Sequence, residues 1–309
     1  MNVVSLLPSA TEIVCALGLQ DHLAGRSHEC DYPTAVHNLP AVTRPSFPQQ
    51  KSSEKIDQSI KSLLKNGLSP FEADPDLLKK LNPDIILTQD HCEVCAISKD
   101  QLNSAAGEFL ENQNVNVLSL SPASIQEILD SILKVGDQLN ASNKALALVT
   151  ELKERLNIIR QTTLGEAEKS VVAIEWISPM MCAGNWVPEL ISLAGGDDLL
   201  GIPGSHSPWI DPGQLLDADP DVILIMPCGY DISATIAELN ILRDLPGWDD
   251  LKAVNHGEVY ILDGNQYFNR PGPRIYDSAR IIAEILHPEL FRQLFHGTGW
   301  ISLQEAVKE

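Results

Sequence analysis

The segment that decides the fold lies at the middle of the chain and reads SNKALALVTELKERLNIIRQTT from Ser142 to Thr163. Its apolar residues recur at spacings of three and four, which is typical of a helix that buries one stripe of its surface. Ser142 is a suitable cap for its start, and Gly165 is a suitable stop. At about 1.5 Å per residue this central helix is roughly 33 Å long, the width of a small domain. The apolar stripe consists of Ala145, Leu148, Val149, Leu152, Leu156 and Ile159.

Strand patterns and helix patterns alternate on both sides of the central helix. Short apolar runs predict strands at 3–7, 85–88, 115–120, 171–175, 222–226 and 259–262. Such alternation favours mainly parallel sheets with helices on both faces. The sequence therefore predicts an α/β fold in which two Rossmann-like lobes are bridged by a single long helix. The predicted parts are an N-terminal lobe at 1–140, a linking helix at 141–164 and a C-terminal lobe at 165–309. The alternative is a single domain in which this segment is an ordinary packed helix.

An internal repeat favours two similar lobes. The run from Pro75 to Leu87 shares six residues with the run from Pro212 to Leu224, at a constant offset of 137 positions. Both copies have the pattern of a helix, a turn and a strand. The offset is too long for the period of a solenoid, so we expect one copy in each lobe.

Length and charge limit the classes of partner. A chain of 309 residues favours two domains over one, and a hydrophobic content of 44% is enough for ordinary cores. The formal net charge is −20, which would repel nucleic-acid phosphates and anionic lipid, so we expect neither as a partner. No apolar run reaches the ~18 residues of a membrane span, so we expect no membrane insertion.

The first residues and the cysteines bear on the compartment. No basic region or apolar leader precedes the strand that begins at Val3. The expectation is a cytoplasmic protein, or a periplasmic one if a leader was removed. Six cysteines are too few for a disulfide scaffold in a chain of this length.

Large aromatic residues lie in loops that follow the predicted strands, where open parallel sheets bind their ligands. Aromatic walls with a few polar anchors suit a sizeable and largely apolar ligand. Arg270 is suited to an anionic group of that ligand, and Trp186 has the alternative role of filling the core. The candidate ligand-binding residues are Ser9, Tyr32, Trp176, Trp186, Trp209, Tyr230, Tyr267, Phe268 and Arg270.

Thiols and imidazoles share these loops, and both are typical ligands of soft or borderline metals. Cys92 and Cys95 have the spacing of half a zinc or cluster site, or of a redox pair. The alternative is that these side chains pack against the ligand or against one another. The candidate ligands of zinc or an iron–sulfur cluster are His28, Cys30, His91, Cys92, Cys95, Cys182 and Cys228.

Three motifs resemble a known family. They are VVSLLPSATEIV at 3–14, GRSHECDYP at 25–33, and the pair PDIIL at 83–87 and PDVIL at 220–224. They resemble the helical-backbone metal receptor superfamily, which has the class III periplasmic binding protein fold. Within it the chain is most similar to the vitamin B12-binding substrate-binding proteins of ABC importers. The likeness covers nearly the whole chain, and iron-siderophore and haem receptors share the opening motif.

The resemblance implies a protein without catalytic activity that holds a corrinoid such as cobalamin, or a related metal chelate, in the cleft between two lobes. It implies that aromatic residues contact the corrin at positions matching Tyr32, Trp176, Trp209, Tyr230 and Phe268. The alternatives are an iron-siderophore or haem as ligand, and a cysteine-rich cleft that ligates a metal ion or iron–sulfur cluster directly. No nucleophile elbow, phosphate loop or paired-acid motif supports an enzyme.

The resemblance also bears on a transporter partner. Family members that serve an ABC importer dock through one acidic residue on each lobe, just ahead of the repeated helix. The first position matches Asp76, but the second matches Gly213. The chain therefore carries half of the expected docking pair.

Overall fold

A computed structural model of the protein describes residues 1–48, 52–66, 69–89, 100, 102, 107, 110, 111 and 113–307. The chain divides into two compact units. The first comprises Met1–Gln50, Gln58–Pro122 and Gln126–Glu151, and the second comprises Lys51–Asp57, Ala123–Ile125 and Leu152–Glu309. The division falls inside the central helix, whereas the predicted lobes ended on either side of it.

Several helices and strands precede the central helix within the described residues. In chain order they are β1 (Val3–Ser5), α1 (Pro8–Ala16), β2 (Leu23–Arg26), β3 (Thr43–Pro45), α2 (Ser53–Lys65), β4 (Phe71–Ala73), α3 (Pro75–Leu81), β5 (Ile85–Thr88), β6 (Asn116–Ser119) and α4 (Ile125–Gln138). Four of the strands form a parallel sheet in the order β2-β1-β5-β6, and β3 pairs with β4 in antiparallel fashion. The core beside this sheet includes Val4, Leu6, Leu78 and Ile86.

The central helix, α5, spans Ser142–Thr163 as the apolar spacing predicts. Every residue of its predicted stripe is buried except Leu148, which is half-buried. Asn140 before the helix and Gly165 after it both adopt positive φ, at 55° and 93°. Backbone in this left-handed region ends a helix, so the two residues separate α5 from its neighbours.

The second unit contains a mixed sheet in the order β12-β11-β10-β7-β8, with β9 also paired to β7. Strands β7, β10 and β11 are parallel neighbours, while β8 and β12 are antiparallel to the strands they join. The elements are β7 (Lys169–Trp176), β8 (Met181–Cys182), α6 (Val187–Leu193), β9 (Gly196–Asp198), α7 (Pro212–Ala218), β10 (Val222–Ile225), α8 (Ile232–Ile236), α9 (Leu239–Arg243), α10 (Lys252–His256), β11 (Val259–Leu262), α11 (Ile275–Leu286), β12 (Trp300–Ser302) and α12 (Leu303–Ala306). The α/β fold class is confirmed.

The repeat detected in the sequence has matching local structure in both copies. Asp74 caps α3 by accepting a hydrogen bond from Leu77, and Asp211 caps α7 by accepting one from Gln214. Asn82 and Asp219 end these helices in the left-handed conformation. The strands that follow, β5 and β10, begin 137 positions apart.

Several elements differ from the prediction. The region 40–53 was predicted to be a loop, but it contains β3 and the first residue of α2. The short strands β8, β9 and β12 escaped detection because two or three residues are too few to show an alternating pattern. A helix predicted at 98–111 lies largely outside the described residues. In the described part of the chain, no helix combines the length and apolar character needed to span a membrane.

Candidate ligand-binding site

The aromatic loops of the second unit lie at the carboxyl edge of its sheet. Trp176 is the last residue of β7, and its indole N–H donates to the carbonyl oxygen of Ser178 at 3.1 Å. Tyr230 follows β10, the parallel neighbour of β7, and its ring meets the Trp176 ring edge-on with 5.7 Å between centroids. Neighbouring parallel strands bring their following loops together, which explains this contact between residues 54 positions apart in sequence.

Trp209 presents a large apolar surface to solvent. Its side chain is 52% exposed, although the backbone around it is fixed. Position 209 forms a β-bridge with Met181, and the backbone N–H of Ile210 donates to the carbonyl of Met180 at 3.0 Å. The preceding Ser207 donates through its hydroxyl to Glu175 at 3.0 Å. An exposed indole on a well-anchored loop is a feature of ligand or partner surfaces.

The loop after β11 is packed tightly against the loop after β10. A side chain at Gly264 would overlap the carbonyl oxygens of Pro227 and Met226, so only glycine allows this approach. The N–H of Asn265 donates to the carbonyl oxygen of Tyr230 at 2.9 Å. These contacts hold the Tyr230 loop and the 264–268 turn as one surface.

Two arginines lie beside this turn. Arg270 donates to the side-chain oxygen of Asn265 at 3.0 Å, and Arg274 donates to that of Gln266 at 3.3 Å. The Arg274 guanidinium also lies 5.3 Å from the centre of the Tyr267 ring. Both side chains are buried, so their charges are held in place and little screened by solvent.

Asp263 caps the same turn. Its carboxylate accepts from the backbone N–H of Gln266 at 2.8 Å and from the Gln266 side chain at 3.1 Å. Burial is the main influence on this carboxyl and raises its pKa, although the two donors from Gln266 oppose that effect.

Two predicted ligand contacts occupy interior positions instead. Phe268 is only 1% exposed, and Trp186 is buried at the start of α6. Side chains so placed have almost no surface with which to touch a ligand in this conformation. The burial of Trp186 favours its alternative role of filling the core, and both residues stay predictions as ligand contacts. The burial of Phe268 has no local signal in the sequence, because the residue lies in a turn.

In the first unit, Ser9 and Tyr32 have different surroundings. Ser9 is buried within the first turn of α1, whose N-cap is Leu7 and carries no side-chain cap. The helix begins at Pro8, one residue before Ser9, so Ser9 is a residue of the helix and not its cap. Tyr32 is 45% exposed and lies close to the first parallel sheet's carboxyl edge, after β2.

The histidine and cysteine of the first unit are hydrogen-bonded to residues of neighbouring elements, β3 and α1. Cys30 is fully buried, and its sulfur accepts a hydrogen bond from the Thr11 hydroxyl at 3.1 Å. His28 places Nδ1 at 2.8 Å from the Thr43 hydroxyl oxygen. Burial, and after it the charge of Arg26, lower the pKa of His28, which favours the uncharged imidazole.

The thiols of the second unit do not complete a metal site. Cys182 is fully buried in β8, where burial followed by the charges of Asp198 and Glu175 raises its pKa to about 12. A metal needs the thiolate, which this environment strongly disfavours. Cys228 is half-buried after β10. The predicted ligands His91, Cys92 and Cys95 lie outside the described residues.

No three histidine, cysteine, aspartate or glutamate side chains are grouped to hold a metal ion within the part of the chain that the structure describes. The metal site predicted from His28, Cys30, Cys182 and Cys228 stays a prediction, because its other three candidate ligands lie outside the described residues. The sequence placed thiols in loops but did not show how far each is buried from solvent. Burial strongly affects whether a thiol can ionise.

Comparison with known proteins agrees with the fold. The chain is 25% identical over 300 residues to the uncharacterized ABC transporter substrate-binding lipoprotein YvrC of Bacillus subtilis, covering 94% of this chain and 82% of that protein. It is 23% identical over 234 residues to the high-affinity heme uptake system protein IsdE of Staphylococcus aureus, covering 73% of each. The crystal structure of the periplasmic vitamin B12 binding protein BtuF of Vibrio cholerae matches with a TM-score of 0.66 and 21% identity, over 92% of this chain and 96% of that one.

The family itself is decided by the extent of the match. Residues 3–266 match the model of the family described as periplasmic binding protein, which is most of the 309 residues. The α/β units, the long helix α5 and the repeated helix–turn–strand unit all agree with that assignment. The chain belongs to the periplasmic binding protein family.

Proposed function

We propose that the protein is a substrate-binding protein without catalytic activity that delivers a corrinoid, or a related metal chelate, to an ABC importer. The observation that carries the proposal is the aromatic surface of the second unit, formed by the partly exposed Trp176 and Trp209, with the buried Tyr230 ring packed edge-on against Trp176. Family membership and the likeness to YvrC, an ABC transporter substrate-binding protein, support the class.

The aromatic surface suits a large flat ligand. The Trp209 indole is half exposed, and each aromatic side chain buries about 150–250 Å² when it is fully covered. At about 25 cal/mol for each Å² of apolar surface, covering the exposed half of one indole stabilises a complex by roughly 2–3 kcal/mol. A macrocyclic chelate offers a matching face, whereas a bare metal ion does not.

Haem is the second candidate ligand. Arg270 and Arg274 hold two buried positive charges beside the aromatic surface, and such groups favour the carboxylates of a tetrapyrrole. IsdE, a relative by sequence, is a heme uptake protein. Direct ligation of zinc or an iron–sulfur cluster by Cys30 and Cys182 is not part of the proposal, since both thiols are buried.

The relatives also bear on the cellular location of the protein and on its transporter partner. The names periplasmic binding protein and lipoprotein favour a place outside the cytoplasm, in contrast to the cytoplasmic expectation from the first residues. Asp76 is a candidate docking residue because its side chain is 94% exposed. It lies in the first turn of α3, whereas the resemblance placed the docking residue just ahead of this helix. Gly213 holds the equivalent position in α7, so docking would depend on one acidic residue of the pair.

A direct binding assay tests the function. The purified protein is titrated with cobalamin, cobinamide and haem, and binding is followed by visible absorbance and by quenching of tryptophan fluorescence. We expect saturable binding of a corrinoid with one site. Saturable binding of haem alone would favour the second candidate, and a lack of response to all three chelates would contradict the proposal.

A further inference from the structure

Three buried side chains of the second unit each have a polar atom with no hydrogen-bond partner among the described residues. The atoms are the Tyr230 hydroxyl, the Ser53 hydroxyl and Oε2 of Glu238. Each of the three residues is more than nine-tenths buried. An unsatisfied buried polar group costs about 1–3 kcal/mol, so three such atoms point to a polar guest that would satisfy them.

Two of the three residues are hydrogen-bonded to each other, and the third lies within electrostatic range of them. Oε1 of Glu238 accepts a hydrogen bond from the backbone N–H of Ser53 at 2.7 Å, across 185 positions of sequence. Tyr230 is close enough to feel the same carboxylate: burial, and after it the charge of Glu238, raise the pKa of Tyr230. The phenol therefore stays protonated and can donate. The Tyr230 ring also contacts Trp176, which connects the group to the proposed ligand surface.

The arrangement defines what kind of guest would fit. Ser53 is the first residue of α2, and the start of a helix is a favourable place for the negative charge of Glu238. Oε2 can only accept a hydrogen bond when Glu238 is charged, whereas the two hydroxyls can donate or accept. A fitting guest must therefore donate to Oε2, and it can accept from Tyr230 or Ser53.

A primary amide has this pattern of one donor group and one acceptor oxygen. A carboxylate has acceptors only, and it would place a second negative charge beside Glu238. The three oxygens lie beneath the surface, so only the narrow end of a ligand side chain, and not the macrocycle itself, could reach them.

Resting on the proposed function, we propose that Glu238, assisted by Tyr230 and Ser53, determines specificity by selecting chelates with terminal amide side chains over chelates with carboxylates. This selection favours an amide-bearing corrinoid over haem at this position.

The test compares matched ligands that differ only at their side-chain ends. The first pair is cobinamide and the same corrinoid with peripheral amides hydrolysed to carboxylates, and the second is haem and its bis-amide. Affinities are measured by absorbance titration at neutral pH. Wild-type protein should bind the amide form of a pair about tenfold more tightly or better. Glu238→Gln should remove most of that preference, because a glutamine amide can donate to a carboxylate.

Matched variants separate selection from general damage. Glu189 is the control for Glu238, since it accepts a hydrogen bond at 2.8 Å from the backbone N–H of Ile125, the first residue of α4. Glu189→Gln should keep the amide preference. Tyr230→Phe should weaken the amide form selectively, whereas Tyr260→Phe, which removes a hydroxyl bonded to Glu258, should not. If Glu238→Gln does not fold, Tyr230→Phe carries the test.

Each outcome bears on one of the two claims. Equal affinity of the wild type for both members of a pair, or an equal loss for both in Glu238→Gln, would overturn the selection while leaving chelate binding intact. If haem binds and no corrinoid does, the corrinoid function fails and the haem pair still decides the selection. If none of the four chelates binds, both proposals fall.

Discussion

Asp221 accepts two hydrogen bonds from Ser170, one from the backbone N–H at 3.0 Å and one from the hydroxyl at 2.8 Å. Asp84, its counterpart 137 positions earlier, accepts one from the backbone N–H of Asn2 at 2.6 Å. Asp84 thus joins the start of β5 to Asn2, the residue before β1, and Asp221 joins the start of β10 to Ser170, the second residue of β7. The repeat thus preserves a contact as well as a pattern of residue types.

Asp221→Asn should destabilise the protein in a pH-dependent way. A hydrogen bond from Lys252, and then that from the Ser170 N–H, lower the pKa of Asp221 to about 2. Because the folded pKa lies below the ordinary value near 3.9, the charged carboxylate stabilises the fold above that value, and the effect is lost as pH falls towards 2. Solvent screening at this partly exposed pair limits the contribution to about 1 kcal/mol.

Urea denaturation of wild type and Asp221→Asn at pH 7 and pH 2.5 measures this effect. The difference in unfolding free energy should shrink at the lower pH. Asp217→Asn is the control, since Asp217 is an exposed residue of α7. A difference that is the same at both pH values would contradict the assignment to the ionised carboxylate.

The sequence predicted the elements that have strong patterns. The stripe on α5 and the Pro–Asp turns before β5 and β10 are local signals, and each needs only a few neighbouring residues to be recognised. Helix α2 was missed although Ile56, Ile60, Leu63 and Leu64 recur at helical spacing, so a local signal was present in the sequence. What fixes α2 at its start is Glu238, which is 185 positions away and invisible to a local pattern.

Gly264→Ala should loosen the surface that carries the aromatic residues. The added Cβ would overlap the backbone oxygens of Pro227 and Met226, and backbone cannot yield as the end of a side chain can. Overpacking of this kind costs about 1–3 kcal/mol. We expect a matching fall in unfolding free energy by urea denaturation and weaker chelate binding.

Gly213→Ala provides the comparison, because its Cβ would meet only one side-chain oxygen, that of Asp211. Position 213 lies in the first turn of α7, where alanine is acceptable. If the two variants were equally stable, the close approach between the two loops would not be a constraint.

The four cysteines that the structure describes should differ in reactivity. Burial raises the pKa of Cys182 to about 12 and, with the charge of Glu12 as the second cause, that of Cys15 to about 11. Cys30 is fully buried, and Cys228 is half-buried. Since the thiolate is the reactive form, Cys228 should be alkylated first among these four and Cys182 last.

Iodoacetamide labelling of the native protein at pH 8, followed by peptide mass spectrometry, gives the order directly. Labelling in urea should remove the differences, which confirms that they arise from the fold. Early modification of Cys182 in the native protein would show that β8 opens readily. It would also favour Cys182 as a candidate metal ligand.

The candidate site was only partly predictable, because the burial of a loop side chain depends on elements that are distant in sequence. Residue type and position after a strand identified Trp176, Trp209 and Tyr230, because the carboxyl edge of a parallel sheet is a general rule. The same rule selected Phe268 and Cys182, which face the interior. Which way a loop side chain turns depends on packing against distant elements, and no local pattern records it.

Trp209→Ala and Phe268→Ala should therefore have opposite effects. Trp209 is 52% exposed and Phe268 is 1% exposed. Removing the Phe268 ring should lower the unfolding free energy by about 3–5 kcal/mol, as expected for a large residue in a core. Removing the Trp209 indole should change it by less than about 1 kcal/mol, yet weaken chelate binding by about 2 kcal/mol or more, since the proposed ligand surface includes this indole. Urea denaturation and absorbance titration of both variants measure the two quantities. Unchanged chelate affinity in Trp209→Ala would remove the exposed indole from the proposed ligand surface.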